Sequence, residues 1–387
     1  MSYDLGTLKV ALVHDWLTGM RGGEKVLELL CSRFPDAPLW TLLHVPGTVS
    51  DSIENRSIKT SLLQYFPAVE SKYRYYLPLF PLMAELTKAQ DADIVVSSSH
   101  AVAKAMVNTG RKRPTVHICY IHTPMRYVWD RFDDYFGPER VGKLASRCLF
   151  QPVARLLRQY DLRTVDRVDR FVANSHFVAD RVKRLYRRDA DVVAPPVDVQ
   201  RFGACRRAPE DWYLMVTALA PYKRVDDAIQ ACAQLKRKLK IIGSGPEETK
   251  LKALASQLRA EVEFHGFVPD DQLAQYYSRA RGLLFPGVED FGIVPVEAIA
   301  AGCPVIALRR GGILDSMTER TAVLYNEESV DGLLDAIRAF ELMSFNEAEL
   351  RRRALDFAPE RFLREFDLIL ADTLQSLQRR TALAAVA

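Results

Sequence analysis

Phe285-Pro286-Gly287-Val288-Glu289-Asp290-Phe291-Gly292-Ile293-Val294-Pro295-Val296-Glu297 carries the end of an apolar strand through a short loop into a helix. Pro295 falls in the first helical turn, where proline is tolerated. Glu289 then lies in the loop and Glu297 within the helix, at E-x7-E spacing. The backbone amides of Phe291, Gly292 and Ile293 point outward at the helix start, which makes an anion- or hydroxyl-binding edge. Gly292 permits close approach of a ligand there. Ionised carboxylates make strong hydrogen bonds to sugar and ribose hydroxyls. Two surface glutamates flanking a helix cap would show the same spacing, so the strand–loop–helix context is what points to a site.

Working outward, the same alternation fills the second half of the chain. Short apolar runs predict strands at Trp212–Thr217, Lys240–Ile242, Val262–Phe264, Gly282–Phe285, Pro304–Ala307 and Ala322–Leu324. Helical periodicity lies between them, at Val225–Leu235, Glu247–Arg259, Asp270–Ala280, Val294–Ala301 and Val330–Leu342. The first half repeats the plan without repeating the sequence. Its strands are expected at Leu8–His14, Leu39–Leu43, Asp93–Ser97, Thr115–Tyr120, Arg170–Ala173 and Ala190–Val193, and Gly19-Met20-Arg21-Gly22-Gly23 feeds a helix over Glu24–Arg33. Continuous apolar runs such as Ile94-Val95-Val96 suit a parallel sheet covered on both faces. The tandem prolines of Ala194-Pro195-Pro196-Val197-Asp198 break the pattern and mark a linker. The fold class is therefore α/β, with two Rossmann-like, doubly wound parallel-sheet domains over residues 1–195 and 205–358. A last amphipathic stretch within 360–387 has no assigned seat, and packing back on the first domain is one option. Two such domains set the carboxyl ends of two sheets across a cleft, where ligands of open α/β sheets bind.

Composition agrees. The chain has 387 residues, 48% hydrophobic and 26% charged, which argues against disorder and is ample for two domains. Its net charge of +4 is too small to imply nucleic acid, and no RNA- or DNA-binding motif is present. The charge is uneven, however: Arg140 to Arg188 holds thirteen Lys or Arg against four Asp. That imbalance suits a phosphate-bearing substrate or an anionic membrane, although any one of these arginines also suits a solvated helix face. Six cysteines at 31, 119, 148, 205, 232 and 303 show no C-x-x-C and read as reduced core residues of a cytoplasmic protein. The first residues show no signal-peptide pattern, and no apolar run approaches the roughly 20 residues of a bilayer span.

Further chemistry clusters after predicted strands. Lys223-Arg224 follows Trp212–Thr217, where fixed cations stabilise charge developing on a leaving phosphate. Gly243 and Gly245 make a tight turn that on its own says little. Gly22-Gly23 lies at the corresponding edge of the first domain, with a purely structural turn as the alternative. His122 follows Thr115–Tyr120 in a loop with Thr123, Pro124, Arg126 and Tyr127. A lone histidine is by default a satisfied one. Tyr65-Phe66 and Lys72-Tyr73-Arg74-Tyr75-Tyr76-Leu77-Pro78-Leu79-Phe80 mix aromatics with cations, as a membrane headgroup layer favours and as ordinary packing also allows. Asp91-Ala92-Asp93 and Asp189-Ala190-Asp191 both precede strands, at the wrong edge for a metal-binding D-x-D, and no zinc or Walker spacing is present.

From Leu219-Ala220-Pro221-Tyr222-Lys223-Arg224, through Lys240-Ile241-Ile242-Gly243-Ser244-Gly245-Pro246 and Val262-Glu263-Phe264-His265-Gly266-Phe267-Val268, to Gly302-Cys303-Pro304-Val305-Ile306-Ala307 and Gly311-Gly312, the chain resembles the donor-binding half of retaining glycosyltransferase family 4. The first half resembles bacterial mannosyltransferases of O-antigen and exopolysaccharide assembly, through His14-Asp15-Trp16-Leu17, Arg21-Gly22-Gly23-Glu24-Lys25 and Ile121-His122-Thr123-Pro124-Met125-Arg126-Tyr127. The resemblance implies the GT-B fold, two facing Rossmann-like domains. It also implies transfer of mannose from GDP-mannose to a saccharide acceptor, lipid-linked through polyprenyl diphosphate at the inner face of the cytoplasmic membrane. A UDP-sugar donor fits the second half equally well. By the same resemblance Lys223 and Arg224 hold the diphosphate, and Arg224 stands in for a strand arginine that Ala218 replaces here. Gly243 and Gly245 lie beside the nucleotide, Val268 meets the base through its backbone, and Glu297 binds the ribose. Gly22 and Gly23 reach the phosphates, His122 lies against the transferred sugar, and Arg126 meets the acceptor. No nucleophilic carboxylate is expected, so the acceptor hydroxyl attacks the face that the diphosphate leaves. A double-displacement glycosidase would need two carboxyls about 5–5.5 Å apart across the bond. No cofactor or metal is expected. A nucleotide-sugar epimerase, a sugar phosphorylase and a non-catalytic sugar-binding protein share the two-domain plan, but the last gives Lys223-Arg224 no purpose.

Overall fold

The structure is a computed structural model that describes residues 8–107, 115–130, 132–137 and 142–386. The chain divides into two compact units, one made of residues up to Ala194 together with those from Phe362 onward, the other Pro195–Arg361.

The first unit holds seven strands: β1 (Val10–His14), β2 (Leu39–Thr41), β3 (Ile58–Thr60), β4 (Ile94–Ser99), β5 (Val116–Ile121), β6 (Arg170–Ala173) and β7 (Ala190–Val192). They pair in parallel in the order β3-β2-β1-β4-β5-β6-β7. Side chains alternate across the sheet: Ala11, Val13 and Val95 enter one core layer, and Leu12, Ile94 and Val96 the other. Every residue of β4 and β5 is buried, and the first half of β4 is the apolar run Ile94-Val95-Val96. β3 escaped the sequence reading because Ile58-Lys59-Thr60 is a half-covered edge strand with a single apolar residue.

The long last helix, Pro359–Val386, completes the second layer. Phe362, Phe366, Leu370 and Leu374 recur every fourth residue, form one helix face and are buried with Leu12, Val26 and Tyr120. Such side chains stabilise by roughly 1.5–3 kcal/mol each when fully buried. Arg33 Nε–H is shared between the two Asp367 carboxylate oxygens at 2.9 and 3.1 Å, a further tie to this helix.

The second unit holds β8 (Trp212–Val216), β9 (Lys238–Ile242), β10 (Val262–Gly266), β11 (Gly282–Phe285), β12 (Val305–Leu308) and β13 (Ala322–Tyr325). Their order is β10-β9-β8-β11-β12-β13, again all parallel. Each unit winds outward from a central strand, returns, and winds the other way. The reversal lies between β1 and β4 in one unit and between β8 and β11 in the other. At such a point the loops that follow the two strands diverge to opposite faces and leave a crevice at the carboxyl edge.

Candidate active site

In the first unit the crevice is lined by histidines. His14 ends β1 and lies in register with Ser98 of β4, while His122 follows the last residue of β5. Ser98 Oγ is 3.1 Å from His14 Nδ1 and 2.8 Å from His122 Nε2, so one hydroxyl joins two imidazoles. Helix α1 (Gly22–Arg33) starts over this pair. A Cβ on Gly23 would sit 3.5 Å from both His122 Nε2 and His14 Cε1, an ordinary contact, so glycine here relieves no clash; His14 is fully buried and His122 half-buried beneath it. Glu24, almost fully buried, accepts the Arg21 N–H at 3.1 Å, and its other oxygen lies 3.8 Å from His14 Nε2.

Asp15 braces the neighbouring turn. Its carboxylate accepts the amides of His100, Ala101, Val102 and Ala103 at 2.6, 3.0, 2.6 and 2.7 Å, and lies 3.2 Å from His100 Nδ1. Without it those amides would be orphaned at a buried position, a cost of about 1–3 kcal/mol for each one left unpaired. Burial pushes the His122 pKa well below the usual histidine value, and the neighbouring His100 and His14 rings push it further. Burial likewise depresses His100 against the pull of Asp15. Both rings are therefore neutral at neutral pH. Burial alone would raise Glu24, but His14 and His100 outweigh it and hold the carboxyl below its ordinary range. Arg126 is half-buried and close enough to His100 to add to its depression. Tyr127 packs against the hydrophobic layer around Met125 and Val128.

The second unit's crevice carries charge instead. A single turn, Pro221–Lys223, joins β8 to helix α2 (Val225–Leu235), and Phe285 of β11 leads through the 286–292 loop into helix α3 (Ile293–Ala300). A Cβ on Gly287 would lie 2.8 Å from the Tyr222 carbonyl oxygen, so only glycine lets the two loops touch. That contact brings Lys223 and Glu289 into an ion pair with side chains 14% and 23% exposed. Arg224 is held apart from this pair. It caps α2 with φ +55°, pairs with Asp227, and reaches Glu328 Oε1 at 2.9 Å. Arg310 approaches the other Glu328 oxygen at 3.0 Å, so one glutamate bridges two arginines.

Glu297 is buried in α3, where its carboxylate accepts the Tyr277 hydroxyl at 2.9 Å. Phe291 packs its ring on Phe357, which leaves its backbone at the helix start beside Gly292, the N-cap, and Ile293, the first helical residue. Gly243 and Gly245 have a packing reason of their own, since Cβ atoms there would meet the carbonyl oxygens of Thr217 and Leu219 at 1.9 and 2.4 Å. Val268 follows the outermost strand β10, half-buried, two strands from β8. Of the two D-x-D triplets, Asp93 accepts the Lys9 amide at 3.0 Å, and Asp189 pairs with Lys183 at 3.0 Å. Asp191 lies inside β7 rather than ahead of it, paired with Arg170. Four polar residues of these edges had no role in the sequence reading: Ser98, His100, Arg310 and Glu328. The visible signal for the first two was a polar run, Ser97-Ser98-Ser99-His100, closing a buried strand; Arg310 and Glu328 offered none.

Apart from β1, with His14 and Asp15, both edges sit in segments that match known families. Residues 20–201 match the model described as Glycosyltransferase Family 4, and residues 198–361 the model described as Glycosyl transferases group 1. The chain belongs to this glycosyltransferase family. Relatives of the chain include D-inositol 3-phosphate glycosyltransferase 2 of Catenulispora acidiphila, 33% identical over 224 residues, covering 48% of this chain and 52% of that protein. A D-inositol 3-phosphate glycosyltransferase of Mycobacteroides abscessus is 30% identical over 219 residues, covering 51% and 49%. The chain spans about half the length of the curated relatives it matches. Among solved structures, the lipopolysaccharide outer core galactosyltransferase WaaB in its apo form aligns with a TM-score of 0.68 at 16% identity, over 95% of this chain and 99% of that one. Anabaena HepE in complex with UDP and glucose gives 0.68 at 15%, over 94% and 99%. The likeness is one of fold, and the two parallel-sheet units are those of GT-B glycosyltransferases.

Proposed function

We propose that this glycosyltransferase moves mannose from GDP-mannose, with retention, onto a lipid-linked saccharide in cell-surface polysaccharide assembly. One observation carries the choice of sugar. The residues through which the first half resembles mannosyltransferases, His14, Asp15, Gly23, Glu24 and His122, are the ones gathered around the first unit's crevice. The neutral imidazole of His122 suits a sugar hydroxyl, whereas Lys223 with Arg224 suits the departing diphosphate. Glu289, paired with Lys223, is an acceptor for a hydroxyl of the transferred sugar, and Glu297 serves the ribose. Gly22 and Gly23 offer amides to the phosphates. The acceptor hydroxyl attacks on the face the diphosphate leaves, and the departing phosphate takes its proton, so position and electrostatics do the catalysis without a metal.

The lipid-linked acceptor is supported by the first unit's surface. Leu62, Tyr65, Tyr75, Leu79, Leu82 and Leu86 are all exposed, Tyr65 and Tyr75 at 82%, with Lys72 and Arg74 among them. Leu144, Leu149, Leu156 and Leu162 are exposed beside Lys143, Arg147, Arg155 and Arg163. Apolar side chains set among cations suit the face of an anionic bilayer. Among the described residues no helix is long and apolar enough to cross a membrane, so the contact proposed is peripheral, at the cytoplasmic face. Failure to float with anionic liposomes at low salt would remove it.

A UDP-sugar donor is the second reading, favoured by the UDP held in the similar Anabaena structure. Thermal unfolding with GDP, UDP, ADP and their sugar conjugates, with and without EDTA, separates the two, because a ligand of the native state raises the midpoint. A selective rise with GDP and GDP-mannose, unmoved by EDTA, is expected. A selective rise with UDP-sugars would discard mannose, and no rise with any nucleotide would discard the donor site.

A further inference from the structure

The hydroxyl shared by two histidines has a consequence for which of them can donate. Ser98 has one proton and lies within hydrogen-bond reach of His14 Nδ1 and His122 Nε2. One imidazole must accept from it and the other must donate to it. Both rings could satisfy the hydroxyl in either sense, so geometry at Ser98 alone leaves the direction open. Glu24 breaks the tie. His14 Nε2 is buried with no hydrogen-bond partner, and the group facing it is the Glu24 carboxylate at 3.8 Å, an acceptor only. A proton on Nε2 of His14 is attracted there; a bare lone pair would be repelled.

We propose that Glu24, His14 and Ser98 form a polarised line that fixes His122 in one tautomer, with its proton on Nε2 and a bare Nδ1 facing outward as a hydrogen-bond acceptor. The protons follow in order. In its singly protonated form His14 carries that proton on Nε2 toward Glu24, so its Nδ1 accepts from Ser98 O–H. Ser98 Oγ then accepts from His122 Nε2–H. Nδ1 of His122 has no partner among the described residues and is not among the buried unsatisfied atoms. It offers a lone pair to whatever enters the crevice, which selects a hydroxyl that donates and disfavours an acceptor such as a phosphate oxygen. The charged and titratable groups around the line are Glu24, His100 with Asp15 behind it, and Arg126. Burial together with the neighbouring histidines keeps the His122 ring neutral, as a tautomer requires. Ser98, His14 and Glu24 are thus positioning residues, and only His122 meets the ligand. That last step rests on the proposed function, which sets the transferred sugar against His122.

The test is nitrogen NMR of the full chain labelled with 15N-histidine, at a pH where the ring is neutral, with His122 assigned through His122→Gln. The expected spectrum has His122 Nδ1 unprotonated. Ser98→Ala and Glu24→Gln are expected to release His122 to a tautomer mixture, and Ser98→Thr, which keeps the hydroxyl, to restore the native one. A proton on Nδ1 in the native protein, or a His122 tautomer unmoved in both folded variants, overturns the proposal. Transfer kinetics test the proposed function separately. If the tautomer shifts in Ser98→Ala while kcat and the donor KM stay as in the native protein, the line stands and His122 does not face the sugar. A fall in kcat of about tenfold with donor KM unchanged, restored by Ser98→Thr, is the result expected if both hold.

Discussion

The two crevices share one topology but differ in the side chains they gather. In each unit the chain reverses its winding beside the first strand, and side chains from the ends of neighbouring strands gather there. Six of the seven histidines, 14, 44, 100, 117, 122 and 176, belong to the first unit, and only His265 to the second. At neutral pH the first crevice presents His100 and His122 uncharged, whereas the second presents Lys223, Arg224 and Arg310 balanced by Glu289, Asp227 and Glu328. A shared fold fixes where ligands are met; the side chains at that place fix which chemical groups are met.

The largest effect should come from the charged side. Lys223→Ala is expected to lower kcat by about 10²–10³-fold, the usual loss for one group that stabilises developing charge. Arg224→Ala is expected to cost less, because that guanidinium is held by two carboxylates, Asp227 and Glu328, whereas Lys223 is held by one, Glu289, among the described residues. Steady-state transfer assays decide; equal losses would mean that Arg224 leaves its partners when the donor binds.

Next is a pH effect confined to the first unit. His117 is buried between Ser97 Oγ at 2.8 Å and the Arg167 carbonyl at 2.7 Å. Burial drives its pKa down to about 4; the Arg167 carbonyl opposes this, and the charges of Lys104 and Arg167 add to it. A depressed folded value means full stability above the unfolded pKa near 6.5, lost as pH falls toward 4. The loss from His117 alone comes to about 3 kcal/mol. Urea unfolding followed by tryptophan fluorescence in a Trp212→Phe protein reads only Trp16, Trp40 and Trp129, all of the first unit. A midpoint that does not move between pH 7 and pH 4.5 would contradict this.

Two glycines sharpen the comparison further. Gly243→Ala drives a Cβ into the Thr217 carbonyl oxygen at a backbone φ of +126°, and is expected to destabilise the second unit by about 1–3 kcal/mol. Gly23→Ala meets no clash and sits in a helix, where alanine gains up to about 1 kcal/mol over glycine. The new methyl would instead cover the edge of the half-buried His122. Unchanged or raised Tm with a several-fold drop in kcat/KM is expected for that variant; a loss of Tm would make Gly23 a structural glycine.

Much of this was legible beforehand. Val225–Leu235 and Gly282–Phe285 are the helix and strand that the sequence predicts, because apolar periodicity and breakers coincide at their ends. The places of His122, Lys223 and Glu289 after strands were readable, because position after a strand is a local property. Ser98 was not readable in its role. It meets His14 from 84 residues away, and a polar residue closing an apolar run looks like any strand end. The grouping of Arg224 with Arg310 was equally hidden, since Glu328, which joins them, lies 104 residues beyond Arg224.

The return of the last helix to the first unit reverses the order in which the two halves can be finished. Residues 195–361 form one uninterrupted stretch, so the second unit has all its parts as soon as that stretch is made. The first unit, although begun earlier, lacks Phe362, Phe366, Leu370 and Leu374 until synthesis has passed through the other unit. A chain cut after Arg361 should keep the second unit's melting transition and lose the first's, with an apolar seat left open to dyes such as ANS; two intact transitions would refute this. During synthesis, the half that meets the ribosome exit first waits longest with its interior uncovered.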